Sequence, residues 1–188
     1  MTKVFIGGSR KIISLNPDIK ARLDNIIEKG YAILIGDANG ADKAVQKYLH
    51  ENAYQNVQVF CMDQECRNNI GNWESTHITS PQSRKDFSYY SIKDAEMAKE
   101  AEYGFMLWEG KSNGTLNNMV NLLKANKKVL VYFLPQKAFF KLLTFSDLEK
   151  LLQECEKEAV QAFEEKLNLS QILKAEKQKQ LQPGFHFV

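Results

Sequence analysis

Residues 101–133 read AEYGFMLWEGKSNGTLNNMVNLLKANKKVLVYF. An apolar run, YGFMLW (103–108), stops in a small polar loop that holds Gly110 and Gly114. Leu116, Met119, Val120 and Leu123 then recur at helical spacing. A second apolar run, KVLVYF (128–133), closes the unit. Strand, helix and strand at this length make a βαβ unit, whose two strands lie parallel. Both runs are continuous rather than alternating, the pattern of strands buried on both faces.

The same rhythm runs back to the N-terminus. Three more apolar runs, KVFI (3–6), YAILIG (31–36) and VQVFC (57–61), are separated by helical stretches. Ile19, Leu23, Ile26 and Ile27 share one helical face, with Asn16-Pro17 as cap and first turn and Gly30 as the stop. Ala41, Ala44, Val45, Tyr48 and Leu49 share the next, and residues 91–101 and 114–126 make two more helices. Right-handed crossovers then give an α/β, doubly wound, mostly parallel five-stranded sheet over residues 3–133. The stretch 62–90 breaks the pattern and reads as a long polar loop beside the ligand end of the sheet.

A first domain is expected over 1–134, followed by an edge segment and helical extension over 135–188. LPQKAFFKLLTF supplies an edge strand, and Ser146 with Glu149 is a capping-box pattern. Leu148, Leu151, Leu152, Cys155, Ala159 and Phe163 form a stripe that must fold on the core or pair with a second copy as a homo-oligomer.

The 188 residues carry 25 basic and 23 acidic groups, net +2, and no strong basic excess. That balance counts against nucleic acid as a partner. No apolar run reaches the length of a membrane span, and the start is not a signal peptide, so a cytoplasmic protein is expected. Cys61, Cys66 and Cys155 are read as reduced thiols, since no CxxC or paired-His spacing suggests a structural metal. No cofactor is called for.

Three strand ends run into small or glycine-rich loops. In IGGSRK, Gly7 and Gly8 allow close backbone approach, Ser9 offers a hydroxyl and Arg10 can meet a phosphate. In GDANGADKA, Gly36, Asp37 and Gly40 form a turn, and Ala41 and Asp42 open a helix whose N-terminus favours anions. In WEGKSNGT, Trp108 and Glu109 end the strand, Gly110, Ser112 and Asn113 form the loop, and Gly114 and Thr115 start the helix. Each loop also has an ordinary reading in turn chemistry, capping or, for Trp108, core packing. Together they count for more, because parallel βα junctions open on one edge. His50, His77 and His186 pair with no nucleophile motif. Arg67, Arg84 and Lys85 lie in the long loop, Tyr89 and Tyr90 follow it, and Asp94 and Glu96 read as a solvated face.

GGSR, GDANGADKAVQKYL and AEYGFMLWEGKSNGT, in that order, resemble the SLOG superfamily of Rossmann-like proteins, named for DprA and the Lonely-guy enzymes, and within it the small stand-alone bacterial and phage members. The resemblance covers roughly residues 3–133. It implies a nucleotide or nucleotide-derived ligand at the strand ends, held by Gly7, Gly8, Ser9, Arg10, Gly36, Gly40, Ala41, Asp42, Gly114 and Thr115. The enzymatic relatives carry a glutamate three residues after the threonine, where this chain has Asn118. An amide cannot serve as base or nucleophile for N-glycosidic cleavage. The resemblance therefore points to a module that binds or senses a nucleotide-like small molecule, as in prokaryotic conflict or nucleotide signalling. The alternative is an N-glycosidase, a phosphoribohydrolase or deoxyribosyltransferase, with its carboxylate relocated to Asp37, Asp42 or Glu109. A DprA-like DNA-binding role comes third, because of the charge balance.

Overall fold

The computed structural model describes residues 1–81 and 84–181. Its elements are β1 (Lys3–Gly8), α1 (Pro17–Glu28), β2 (Ala32–Gly36), α2 (Ala41–Glu51), β3 (Val57–Met62), β4 (Glu74–Ile78), α3 (Phe87–Glu100), β5 (Tyr103–Trp108), α4 (Asn113–Lys124), β6 (Lys128–Phe133), β7 (Ala138–Leu142), α5 (Phe145–Gln153), α6 (Lys157–Leu167) and α7 (Leu169–Leu181).

Strand order is β4-β3-β2-β1-β5-β6-β7 in one sheet. Every pairing is parallel except β6 with β7. The chain runs outward from β1 in one direction through β2 and β3, then crosses back to β5 on its other side. β1 and β5 stay paired to Gly8, and the connections that leave their carboxyl ends run to opposite sides, at the switch point where such folds form a crevice. Register sets Ile6 against Phe105 and Gly8 against Leu107.

Continuous apolar strands feed two cores because successive side chains point to opposite faces. Val4, Ile6, Ile33, Ile35 and Leu107 pack with Leu23, Val45 and Leu49 on one face. Phe5, Leu34, Phe60, Met106 and Trp108 pack with Met97, Leu116, Met119 and Phe163 on the other. The local signals of α1 hold: the Asn16 side chain accepts the Ile19 N–H at 3.0 Å, Pro17 opens the first turn and Gly30 follows at φ +65°.

The sheet has seven strands where five are expected from the sequence. β4 lies inside the stretch read as loop, and β7 is the edge strand expected from LPQKAFFKLLTF, paired antiparallel with β6. The third helix starts at Phe87 rather than 91, capped by the Asp86 carboxylate, which accepts the Ser88 and Tyr89 N–H groups. The extension is three helices rather than one. Its capping box is Thr144 with Asp147, so α5 begins at Phe145. Leu148, Leu151, Leu152, Ala159 and Phe163 are buried within this chain's own core, so the stripe does not require a second copy. Cys155 is only partly buried, between α5 and α6. No helix among the described residues is long and apolar enough to cross a membrane.

Candidate functional site

A cleft of about 540 Å³ opens over the carboxyl ends of β1 and β5. β1 delivers its floor. A side chain on Gly8 would stand 2.5 Å from the Leu107 carbonyl oxygen and 2.8 Å from the Ala41 Cβ, so only glycine lets these elements close. Ser9 is buried and works as a tie: its N–H donates to Leu107 O, its carbonyl accepts the Ala41 N–H, and its hydroxyl accepts the Lys11 N–H. The tie presents Arg10 and Lys11, both exposed, along the cleft. Gly40, at φ +88°, packs against the Arg10 backbone, where any Cβ would collide.

The loop after β2 brings two acids of opposite character. Asp37 is 1% exposed and takes a fork from the Arg67 guanidinium plus the Arg67 backbone N–H. Burial pushes its carboxyl up, but the Arg67 bonds and charge outweigh it and the net shift is downward. Asp42 stands in the first turn of α2 and accepts the Ala38 N–H at 3.1 Å. Burial pushes its carboxyl up to about 6, against the pull of Lys93. Lys93 of α3 is itself buried and lies 2.7 Å from Asp94. Burial disfavours its charge, but Asp94, Asp42 and Asp37 restore it and the net shift is upward.

The third wall is the β5–α4 junction. Ser112 caps α4, accepting the Thr115 N–H at 3.3 Å and the Thr115 hydroxyl at 3.1 Å. Thr115 is therefore tied to the cap, not free to present its own N–H to a phosphate. Asn118 is buried and lies opposite Gly7. Among the described residues, Glu109 Oε2, Asn113 Oδ1 and Asn118 Oδ1 are buried without a hydrogen-bond partner, and all three residues line the cleft.

Of the residues singled out from sequence, Gly7, Gly8, Ser9, Arg10, Asp42, Glu109, Ser112, Asn113, Gly114, Thr115 and Asn118 line this cleft. Gly36 ends β2, Gly40 and Ala41 start α2 and Gly110 lies in the β5–α4 loop, and none of the four lines it. Trp108 does not face it. The indole is fully buried against Phe133 and Phe163, and its N–H donates to Ser112 O. It is a core residue rather than a stacking platform.

Asp37 lines a second lobe of about 500 Å³, shared with Met62, Asp63, Glu65, Cys66 and Tyr89. Arg67, Lys85 and Tyr90 line both lobes. Tyr90 has the Arg67 guanidinium 4.6 Å and the Arg10 guanidinium 5.6 Å from its ring centre. Lys85 pairs with Asp63, while Arg84 is exposed beside Asp86. His50 is exposed, His77 is on β4 with its ring bonded to Asp63 O and Ser75, and His186 lies outside the described residues.

Three sequence expectations need correction here. Asp94 is not a solvated charge but the partner of buried Lys93 at the cleft. Cys61 and Cys66 are not reduced thiols: they form a disulfide, because the chain reverses after β3 at Asp63 (φ +62°) and brings their Cα atoms to 5.1 Å. Cys155 is free, its thiol pushed up to about 12 by burial. Lys93 and Gln46 were not identified from the sequence. Buried Gln46 donates to Gly36 O and Asn68 O and accepts the Ile70 N–H, tying the loop after β3 to β2.

No family model and no curated protein matches the chain. Among solved structures, the chain is similar to DNA processing protein A from Helicobacter pylori, reported for a single-stranded DNA binding mode. Identity is 17%, the TM-score is 0.51, and the match covers 69% of this chain. It spans less than two thirds of that protein, 64%. The third correction follows. Net charge does not count nucleic acid out, since a chain of this fold binds single-stranded DNA and charge balance over a whole chain hides cations gathered at one edge. What the likeness establishes for this chain is its fold, a Rossmann-like α/β sheet.

Proposed function

We propose that this chain binds a nucleotide-type small molecule in the cleft over β1 and β5. The observation that carries the reading is the cleft's place at the switch in strand order, with Arg10 and Lys11 beside it. Among the described residues, the other cations of the cleft have acidic partners: Arg67 with Asp37, Lys85 with Asp63, Lys93 with Asp94 and Lys111 with Glu156. Arg10 and Lys11 have none among those ion pairs, and an anion is what they lack.

A ligand that binds only the folded state raises the unfolding temperature. Nucleoside mono- and diphosphates should do so, and Arg10→Ala should weaken binding roughly ten- to a hundredfold, the worth of a charge-assisted hydrogen bond. No shift across a panel of nucleotides sinks the reading. A single strand of DNA is the second reading, favoured by what the structural neighbour binds. An oligonucleotide that binds where mononucleotides fail, with affinity falling steeply with salt, selects it.

Binding without cleavage is part of the proposal, because Asn118 stands where the enzymes that the chain resembles carry glutamate. Free base that accumulates with wild type and disappears in Asp42→Asn replaces it with hydrolysis, Asp42 being the cleft acid whose carboxyl burial pushes up to about 6.

A further inference from the structure

We propose that Glu156 of the C-terminal extension withholds Lys111 from the cleft, and so limits the positive charge that an anionic ligand meets there. The inference rests on the nucleotide reading above and adds a residue that sets the strength of binding. Lys111 lines the cleft in the β5–α4 loop, beside Ser112 and Asn113. Its ammonium lies 2.7 Å from the Glu156 carboxylate. The acids paired with Arg67, Lys85 and Lys93 all precede β5 in the chain, whereas the partner of Lys111 comes from the extension.

The two segments meet at adjacent positions. A side chain on Gly110, which is held at φ +84°, would stand 3.0 Å from the Phe133 ring and 3.9 Å from the Cys155 Sγ, so the loop and the α5–α6 turn close on each other there. One residue on in each segment, Lys111 meets Glu156. Glu156 is the N-cap of α6, yet its side chain makes no capping bond. A capping side chain bonds its own helix; this carboxylate bonds Lys111 instead. Charge holds Lys111 on the same side. Glu156 first, then Glu158 and Glu109, push its ammonium further toward the charged form. A phosphate drawn to Lys111 would have to displace one carboxylate and enter the field of two more.

The two side chains are 49% and 63% exposed, so the pair is worth what a surface ion pair is worth. Freeing Lys111 should therefore tighten anion binding by up to about fivefold. A double-mutant cycle reads this, by calorimetric titration of the intact chain with nucleoside monophosphates and with the matching nucleosides. Glu156→Gln, which removes no capping bond from α6, should tighten the monophosphates and leave the nucleosides unchanged. Lys111→Met should shift the wild-type affinity by less than about twofold, its charge being already withheld, and should cancel the gain in the Glu156→Gln background. A gain that survives Lys111→Met overturns the inference, since it would come from the lost charge of Glu156 alone. A loss of about tenfold on Lys111→Met in the wild type overturns it too, since Lys111 would then already be on the ligand. Monophosphate binding that no variant changes overturns it and leaves the nucleotide reading standing. Failure of wild type and Glu156→Gln alike to bind any monophosphate removes both. The Lys111→Met comparison in the wild type leaves the extension untouched, so a Glu156→Gln chain that does not fold leaves that arm of the test intact.

Discussion

Asp42 has the most consequential charge state in the cleft. Its carboxyl is raised from 3.8 to about 6, with burial the main cause. Between those values the folded chain binds a proton that the unfolded chain has released, so stability falls as pH rises through that window. The group's contribution is complete below the unfolded pKa and is lost above the folded one. The loss is on the order of 3 kcal/mol at neutral pH. Asp42→Asn removes the titration. It should therefore be more stable than wild type at about pH 7.5 and lose that advantage at about pH 3.5, as read by urea unfolding. Asp37 slopes the other way, its carboxyl being lowered, but it is present in both proteins and cancels from the difference. A gap that does not change with pH rejects the assignment. The partner that makes Asp42 interesting was illegible in the sequence. Lys93 sits in SIKDAEM, a charged stretch that local patterning reads as solvated. Asp94 is its neighbour in the chain, but only the docking of α3 over the carboxyl ends of the strands brings it to Asp42. For Trp108 the sequence offers both a place at the ligand and core packing, and the core reading is the one that holds. It lies two residues beyond Met106 and so points to the same buried face of the sheet, a parity signal that decides between the two readings.

At the scale of elements, the chain after β6 is held by apolar contact. α5 packs against the edge strand β7 and α6 against α4, and Phe163 is buried with its ring centre 5.7 Å from that of Trp108. Phe163→Ala should cost about 3–5 kcal/mol in urea unfolding, the range for a large aromatic lost from a packed core. A loss below about 1 kcal/mol would mean that the helices are held by something other than this contact. Five strands were readable because each is buried on both faces and therefore continuously apolar. β4 was not, because ESTHI is a half-exposed edge strand with only one apolar residue, leaving no period to detect. The single long stripe was legible as apolar and misleading as geometry. α5 stops at Gln153 and the chain restarts as α6 at Lys157, so the break falls between Leu152 and Ala159, inside the stripe. A stripe at helical spacing says which residues are buried, but not that one helix carries them all. The loops of the cleft were readable as a set for the opposite reason: parallel topology places βα junctions on one edge whatever each loop contains.

Across the whole molecule, stability should be unevenly distributed. The two apolar cores clamp β1, β2 and β5 from both faces, whereas polar and covalent ties hold the far wall of the cleft. Arg67 forks onto Asp37, Gln46 bridges β2 to Asn68 and Ile70, and the Cys61–Cys66 disulfide closes the turn after β3. Few of the main-chain groups of that turn lie in the sheet, so its amides can open without the cores. Hydrogen exchange should therefore find residues 63–70 fast and β1, β2 and β5 slow in the free protein. A nucleotide seated as proposed contacts the β1 loop and the β5–α4 junction. It should slow exchange at residues 9–11 and 109–118, and leave β7 and α6 as they were. Protection spread evenly over the sheet would report global stabilisation with no address. Protection confined to 63–70 would move the ligand into the second lobe, beyond Tyr90 and Arg67, where Asp37, Asp63 and Glu65 form the lining. Those two cations, Arg67 and Arg10, share Tyr90 as a neighbour but differ in pairing, since Arg67 is committed to Asp37 and Arg10 has no such ion pair. That difference is why the β1 side of the tyrosine, and not the disulfide side, is the expected seat of an anionic ligand.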